Sequence, residues 1–298
     1  MQLNLKYLKN SLQTKTMDIN ILKTLKGHIE FSDTGKGTPI LFFHGGHSNC
    51  RETLFHKGFD TNKYMLITPS RPGYGYTPLE DHTTPEKTAE LVHALINDLG
   101  INKVIVYAIS AGGLSGIAFA AIYPEKVDKL ILASAVTKKW LKKTDKVYKA
   151  GKKLFNPRME RNTWSMVRTF SGIFPGMIAK NFFKQFSSAK PHNLDKADIK
   201  ELIATFAHYR SKTGFMSDLE HDIPNYMLSK IHCPTLIAHS KNDKSVSFDH
   251  AEHAYKQIPN AQLLTLENEW GHLFWIGKDA TETITKILKF VENEKTTE

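Results

Sequence analysis

Cysteine is nearly absent from this chain of 298 residues: only Cys50 and Cys233 occur. A disulfide framework is not indicated, and two isolated thiols fit a reducing compartment. No run of about 18 apolar residues exists, so no membrane-spanning helix is expected. The opening stretch MQLNLKYLKNSLQTKTMDIN lacks the apolar core of a secretory signal. A cytoplasmic location is the expectation. Walker-type and dinucleotide-binding glycine loops are also missing, as is any nucleic-acid-binding module, so no nucleic-acid partner is expected. Acidic residues are scarce in one segment. Residues 138–190 hold fourteen Lys or Arg against Asp145 and Glu160, a local excess of twelve where the whole chain nets +10. Such runs are usually solvated surface. The functional reading is attraction of an anionic partner or substrate.

What is present is ordinary for a globular protein: 41% hydrophobic and 23% charged residues. The length allows one large α/β domain with an insertion. Strand-like apolar runs fall at Gly27 to Ser32, Pro39 to Phe43, Tyr64 to Thr68, Lys103 to Tyr107, Lys129 to Ser134, Pro234 to Ala238 and Gln262 to Leu266. Pro85 to Leu99 reads as a helix, with Ala89, Val92, Leu95 and Ile96 at helical spacing and Gly100 as its stop. Ala280 to Glu292 reads as a closing amphipathic helix. This alternation predicts an α/β fold, a mainly parallel sheet with helices on both faces.

Between Val136 and Ile231 the strand rhythm stops. A loop of that length needs structure of its own, so residues 137–230 are expected to form an inserted helical cap, broken at Pro175-Gly176. The core then comprises 22–136 and 231–298. Residues 1–21 are expected to be an N-terminal extension, with Met17 a plausible shorter start.

The chemistry gathers at strand ends. Val104 to Ile109 is apolar and largely β-branched, and it runs into Ser110-Ala111-Gly112-Gly113 and a helical stretch. Small residues two before and two after a serine suit the sharp strand-to-helix turn of a nucleophile elbow. Ala108 stands where glycine is usual. A serine nucleophile needs donors for the oxyanion of its tetrahedral intermediate. Ala111 supplies one backbone N–H. The loop Phe42-Phe43-His44-Gly45-Gly46-His47 supplies the other, at Gly46. The serine also needs a base and a carboxylate to orient that base. Asp243 lies just past the strand Pro234 to Ala238, and His272 follows the last strand in Glu269-Trp270-Gly271-His272-Leu273. No acid follows the strand ending near Ser134. In an open α/β sheet the strands' C-terminal ends share one edge, where ligands bind.

Four features together, His44-Gly45-Gly46, Arg71-Pro72-Gly73-Tyr74-Gly75, the Ser110 elbow and Asn242-Asp243 with Gly271-His272, resemble the α/β-hydrolase fold family with a cap domain. The likeness covers roughly residues 22–298. It implies Ser110 as nucleophile, His272 as base, Asp243 as acid, and oxyanion donors at Gly46 and Ala111. Ser240 departs from the family's usual glycine near the acid. His47-Ser48 replaces the Pro-Gly with which prolyl iminopeptidases continue the His-Gly-Gly motif. A serine nucleophile implies acyl transfer through a covalent intermediate. The expected activity is hydrolysis of a small carboxylic ester without a cofactor or metal. Carbon–carbon bond or lactone hydrolysis by the same triad is the alternative, as is a non-catalytic ligand receptor. His47, Phe170, Phe174, Phe182 and Phe183 are the candidate substrate-lining residues. Asp249, His250 and His253 have metal-compatible helical spacing, but a solvated helix face accounts for them better.

Overall fold

Side chains two apart on a strand share a face, and a strand apolar on both faces belongs inside a layered fold. The computed structural model describes residues 17–190 and 194–293, and among these eight strands form one sheet. They are β1 (Asp18–Thr24), β2 (Gly27–Gly35), β3 (Thr38–Phe43), β4 (Tyr64–Pro69), β5 (Val104–Ile109), β6 (Val127–Ala133), β7 (Thr235–Ser240) and β8 (Ala261–Leu266). Their order is β1-β2-β4-β3-β5-β6-β7-β8. The first two neighbour pairs are antiparallel and the remainder parallel.

Ten α-helices occur among the described residues: α1 (Pro85–Asp98), α2 (Gly113–Ile122), α3 (Lys146–Leu154), α4 (Glu160–Ile173), α5 (Pro175–Phe186), α6 (Lys196–Phe206), α7 (Gly214–Glu220), α8 (Asn225–Ser229), α9 (Asp249–Gln257) and α10 (Ala280–Glu292). Strand β5 shows how they are layered. Val104, Val106 and Ala108 face α2 and share one core with Leu91, Val92 and Leu95 of α1 and with Ala251 and Ala254 of α9. Ile105, Tyr107 and Ile109 face the other way, toward Ile287 and Phe290 of α10. Thr84 caps α1 by accepting from the Lys87 N–H, and the chain leaves that helix through Gly100 at φ 69°.

Strand β1 was not expected. It starts at Asp18, inside the stretch assigned from sequence to an extension, and pairs with β2 along its whole length. As the sheet's edge it leaves Ile19 and Ile21 exposed, while Leu22 on its other face packs against the core. Residues 1–16 of that stretch lie outside the described residues.

The insertion between β6 and β7 is helical. Its helices α4, α5 and α6 pack on one another. The turn Phe174-Pro175 separates α4 from α5, since proline starts a helix more readily than it continues one. The insertion's last helix, α8, sits against α2 and α9, and Met227, Leu228 and Ile231 join the core beneath the sheet.

Candidate active site

The turn after β5 is built by small residues. Ser110 has φ 50°, a left-handed conformation that side chains rarely adopt. A Cβ on Gly112 would stand 2.3 Å from the Phe43 carbonyl oxygen, and one on Gly113 2.3 Å from that of Val136. The alanine at 108 has its own accommodation. A Cβ on Gly116 would come within 2.4 Å of the Ala108 Cβ, so the glycine on α2 leaves the room that this methyl takes.

His272 Nε2 lies 3.0 Å from Ser110 Oγ, and His272 Nδ1 lies 2.7 Å from Asp243 Oδ2. All three residues are buried. Because Asp243 can only accept when ionised, the imidazole proton sits on Nδ1 and Nε2 faces the serine hydroxyl as an acceptor. Asp243 Oδ1 accepts from the N–H groups of Ser245 and Val246 at 2.9 and 2.8 Å. His239 Nε2 lies 3.3 Å from Asp243 Oδ2 and 2.8 Å from the Val246 carbonyl oxygen. Burial opposes the charge on Asp243. The two histidines and the hydrogen bonds outweigh it and hold its pKa at about 2.

The histidine loop is fixed from three sides. The Ser134 hydroxyl donates to the His272 carbonyl at 3.0 Å. The His272 N–H donates to the Phe186 carbonyl at 3.0 Å, and the Phe186 ring stacks on the imidazole at 5.7 Å. Gly271, at φ 53°, leaves no room for a Cβ between the carbonyl oxygens of Asn242 and Phe186.

The other half of the site is the loop His44 to His47. A Cβ on Gly45 would lie 3.7 Å from Ser110 Oγ, and one on Gly46 3.8 Å from the Ala111 Cβ. The peptide joining Gly45 to Gly46 is held by its carbonyl. His44 Nδ1 donates to that oxygen at 2.8 Å, and Arg71 Nη2 approaches it at 3.4 Å. In a trans peptide the N–H points opposite to the C=O, so fixing the Gly45 oxygen fixes the direction of the Gly46 N–H. His44 Nε2 accepts from the Arg71 N–H at 3.0 Å. Burial, aided by Arg71, pushes the His44 imidazole down to about 3 and keeps it neutral.

Arg71 is itself held from the insertion. Asp218 on α7 takes its guanidinium in a bidentate pair at 2.6 and 2.8 Å, and the Tyr74 hydroxyl donates to Asp218 at 2.6 Å. Nearby, Trp164 Nε1 donates to Ser211 Oγ at 2.8 Å, and Ser211 Oγ lies 2.6 Å from His47 Nδ1. An indole N–H only donates, so Ser211 Oγ accepts from Trp164 and joins that indole to the His47 imidazole through one hydroxyl. The His47 ring stacks on Phe215 at 4.0 Å and packs on Phe155 at 4.3 Å. Its surroundings push it well below the ordinary imidazole range. Glu160 pairs with Arg210 at 2.8 Å and also accepts from the Ser211 N–H.

The predicted lining residues therefore divide. His47 lies beside the Gly46 loop. Phe183 is buried against Trp270, and Phe182 packs on Phe206 within the insertion. Phe170 and Phe174 are exposed. Among the described residues no group of three or more His, Cys, Asp or Glu could hold a metal. His250 instead accepts from the Thr137 N–H through Nδ1. Sequence reasoning missed Asp218, Ser211, Trp164, Phe215 and His239. Only Arg71, inside its Pro-Gly loop, carried a signal.

The α/β hydrolase fold family model matches residues 38–279, and the chain belongs to that family. It is a hydrolase by class. It is 40% identical over 292 residues to the uncharacterized hydrolase YcgS of Bacillus subtilis, covering 96% of this chain and all of that one. It is 22% identical to a 2-hydroxy-6-oxononadienedioate/2-hydroxy-6-oxononatrienedioate hydrolase of Paraburkholderia phymatum, over 91% of this chain and 93% of the relative. Among solved structures, an α/β hydrolase fold protein from Nakamurella multipartita matches with a TM-score of 0.70 at 23% identity, covering 92% of this chain and 98% of that one. An esterase from Exiguobacterium antarcticum matches with a TM-score of 0.67 at 21% identity, covering 92% and 99%.

Proposed function

We propose that the chain hydrolyses small carboxylic esters through an acyl-enzyme on Ser110. The observation that carries this reading is the Ser110–His272–Asp243 hydrogen-bond chain at the strand ends. Ser110 Oγ attacks the ester carbonyl while His272 Nε2 takes its proton. Asp243 stabilises the imidazolium. The oxyanion accepts from the N–H groups of Gly46 and Ala111. The intermediate collapses, and His272 returns the proton to the departing alcohol. Water then attacks the acyl-enzyme with His272 again as base, releasing the acid and restoring Ser110.

A second reading is carbon–carbon bond hydrolysis by the same residues, favoured by the names of relatives such as that from Paraburkholderia phymatum. A dienedioate is a dianion, and its carboxylates need cations. Two arginines near the His44–His47 loop are committed: Arg71 to Asp218 and Arg210 to Glu160. That commitment, with a neutral His47 set among Phe155, Trp164 and Phe215, favours an uncharged substrate. The test is a panel of short esters, lactones and vinylogous diketones, with Ser110→Ala as control. Esters are expected to turn over, and a fluorophosphonate is expected to label Ser110. Ser110→Ala is expected to abolish labelling and lower turnover by about 10⁴-fold or more. Activity confined to the diketones would select the second reading, and none on any compound would favour a receptor.

A further inference from the structure

The hairpin formed by α4 and α5 puts apolar side chains where water should be. Met166, Phe170, Ile173, Phe174 and Met177 are between 41% and 60% exposed. Met166, Phe170 and Ile173 follow helical spacing and share one face of α4. The turn Phe174-Pro175 then brings Phe174 and Met177 to the same tip. No charged residue interrupts positions 169–179. A cluster of this kind marks a contact surface rather than chance exposure.

Charge decides what it contacts. Behind the tip, Lys180 and Lys184 continue the exposed face of α5 that Met177 begins, at i+3 and i+7. Between 161 and 190 there is no acidic residue at all. Glu160 is buried against Arg210. On the neighbouring α6, Asp195 caps its own helix, Asp198 accepts from Trp270 and Glu201 pairs with Lys57. A second copy of this chain would bring the same cationic surface against itself, which like-charge repulsion opposes. An anionic lipid surface complements both features. Apolar tips enter the acyl region while lysine stems reach back to the headgroups.

We infer that the α4–α5 hairpin is a membrane-contact device that seats the protein on an anionic lipid surface. It inserts Phe170, Ile173, Phe174 and Met177 and sets Lys180 and Lys184 at headgroup level. The inference needs the hairpin and not the serine, so it stands apart from ester hydrolysis. It has a consequence for the site all the same. Helix α5 ends at Phe186, whose ring and carbonyl both hold His272. By helical rise the tip lies about 16 Å from that contact. A lipid-dissolved substrate would therefore be offered one helix length from the base.

The test is co-sedimentation of full-length protein carrying Ser110→Ala, which removes hydrolysis, with vesicles of phosphatidylcholine alone or with about 30% phosphatidylglycerol. Binding is expected to the anionic vesicles, at least about ten-fold stronger than to the neutral ones, and to weaken strongly from about 0.05 to about 0.5 M salt. Ile173→Ser with Met177→Ser is expected to weaken it about ten-fold or more. Lys180→Glu with Lys184→Glu is expected to do the same. Melting temperature and circular dichroism should match the parent in each, because these side chains are exposed. No binding, equal binding to both vesicle types, or binding indifferent to both pairs of substitutions overturns the inference. So does a stable dimer, seen by analytical ultracentrifugation, that Ile173→Ser with Met177→Ser dissociates.

Discussion

The strand-end site and the hairpin tip handle polarity in opposite ways. At the site each buried charge is matched: Asp243 by two histidines and two backbone N–H groups, Arg71 by Asp218. At the tip apolar groups face outward and cations stand behind them. Helix α5 spans the two, with Met177 near one end and Phe186 at the other. The difference teaches that one insertion can serve two surroundings. Its inner side contributes partners that a buried polar site requires. Its outer side is free of that demand, and its composition reflects what lies beyond the molecule.

The comparison breaks most visibly where matching is removed. Asp243→Asn keeps the shape of the site but reverses what it offers His272 Nδ1. The expected loss in kcat is about 10²–10⁴-fold, with an unchanged circular dichroism spectrum, measured on whichever ester the panel identifies. A kcat near that of the parent would place the acid elsewhere.

Asp218→Leu leaves the Arg71 guanidinium buried and uncompensated. Its expected cost is about 3–5 kcal/mol in urea unfolding. Combining it with Arg71→Met should return most of that stability, since a buried pair replaced together costs far less than one partner removed. Activity should not return with it, because the Gly45 carbonyl has lost one of its two donors. If the double variant is no more stable than Asp218→Leu alone, the pair is not the link between the insertion and the loop.

The smallest expected effect lies at Glu52, which is buried near Tyr209 and accepts from the Leu54 N–H. Burial raises its carboxyl from 4.5 to about 7. Between those values the unfolded chain has released the proton while the folded chain keeps it. Its contribution to stability is therefore complete below about 4.5 and declines as pH rises to about 7, by up to about 3 kcal/mol. Glu52→Gln should flatten this part of the profile and leave the protein more stable than the parent at pH 8. An identical slope in the variant would assign the dependence to another group.

Legibility in the sequence followed the same divide. Seven of the strands showed as apolar runs; β3 to β7 did so because a strand buried on both faces needs little else. The edge strand β1 did not, since Ile19 and Ile21 face outward. That Ser110, Asp243 and His272 would lie together could be read because each follows a strand whose end is fixed by the fold. Asp218 and Ser211 could not. They meet Arg71 and His47 across 147 and 164 positions, and nothing local in an aspartate or a serine announces a distant partner. The phenylalanines of the insertion show the limit of periodicity. It identifies a face, but not whether that face meets Trp270, as Phe183 does, or solvent, as Phe170 does.

The contact between Ala108 and Gly116 makes two positions behave as one. A single methyl fits between strand β5 and helix α2, and either residue can hold it. With glycine at 108 this chain would have room for alanine at 116, while alanine at both would push the helix off the strand and tilt the serine it supports. For anyone redesigning this turn, the unit of choice is the pair.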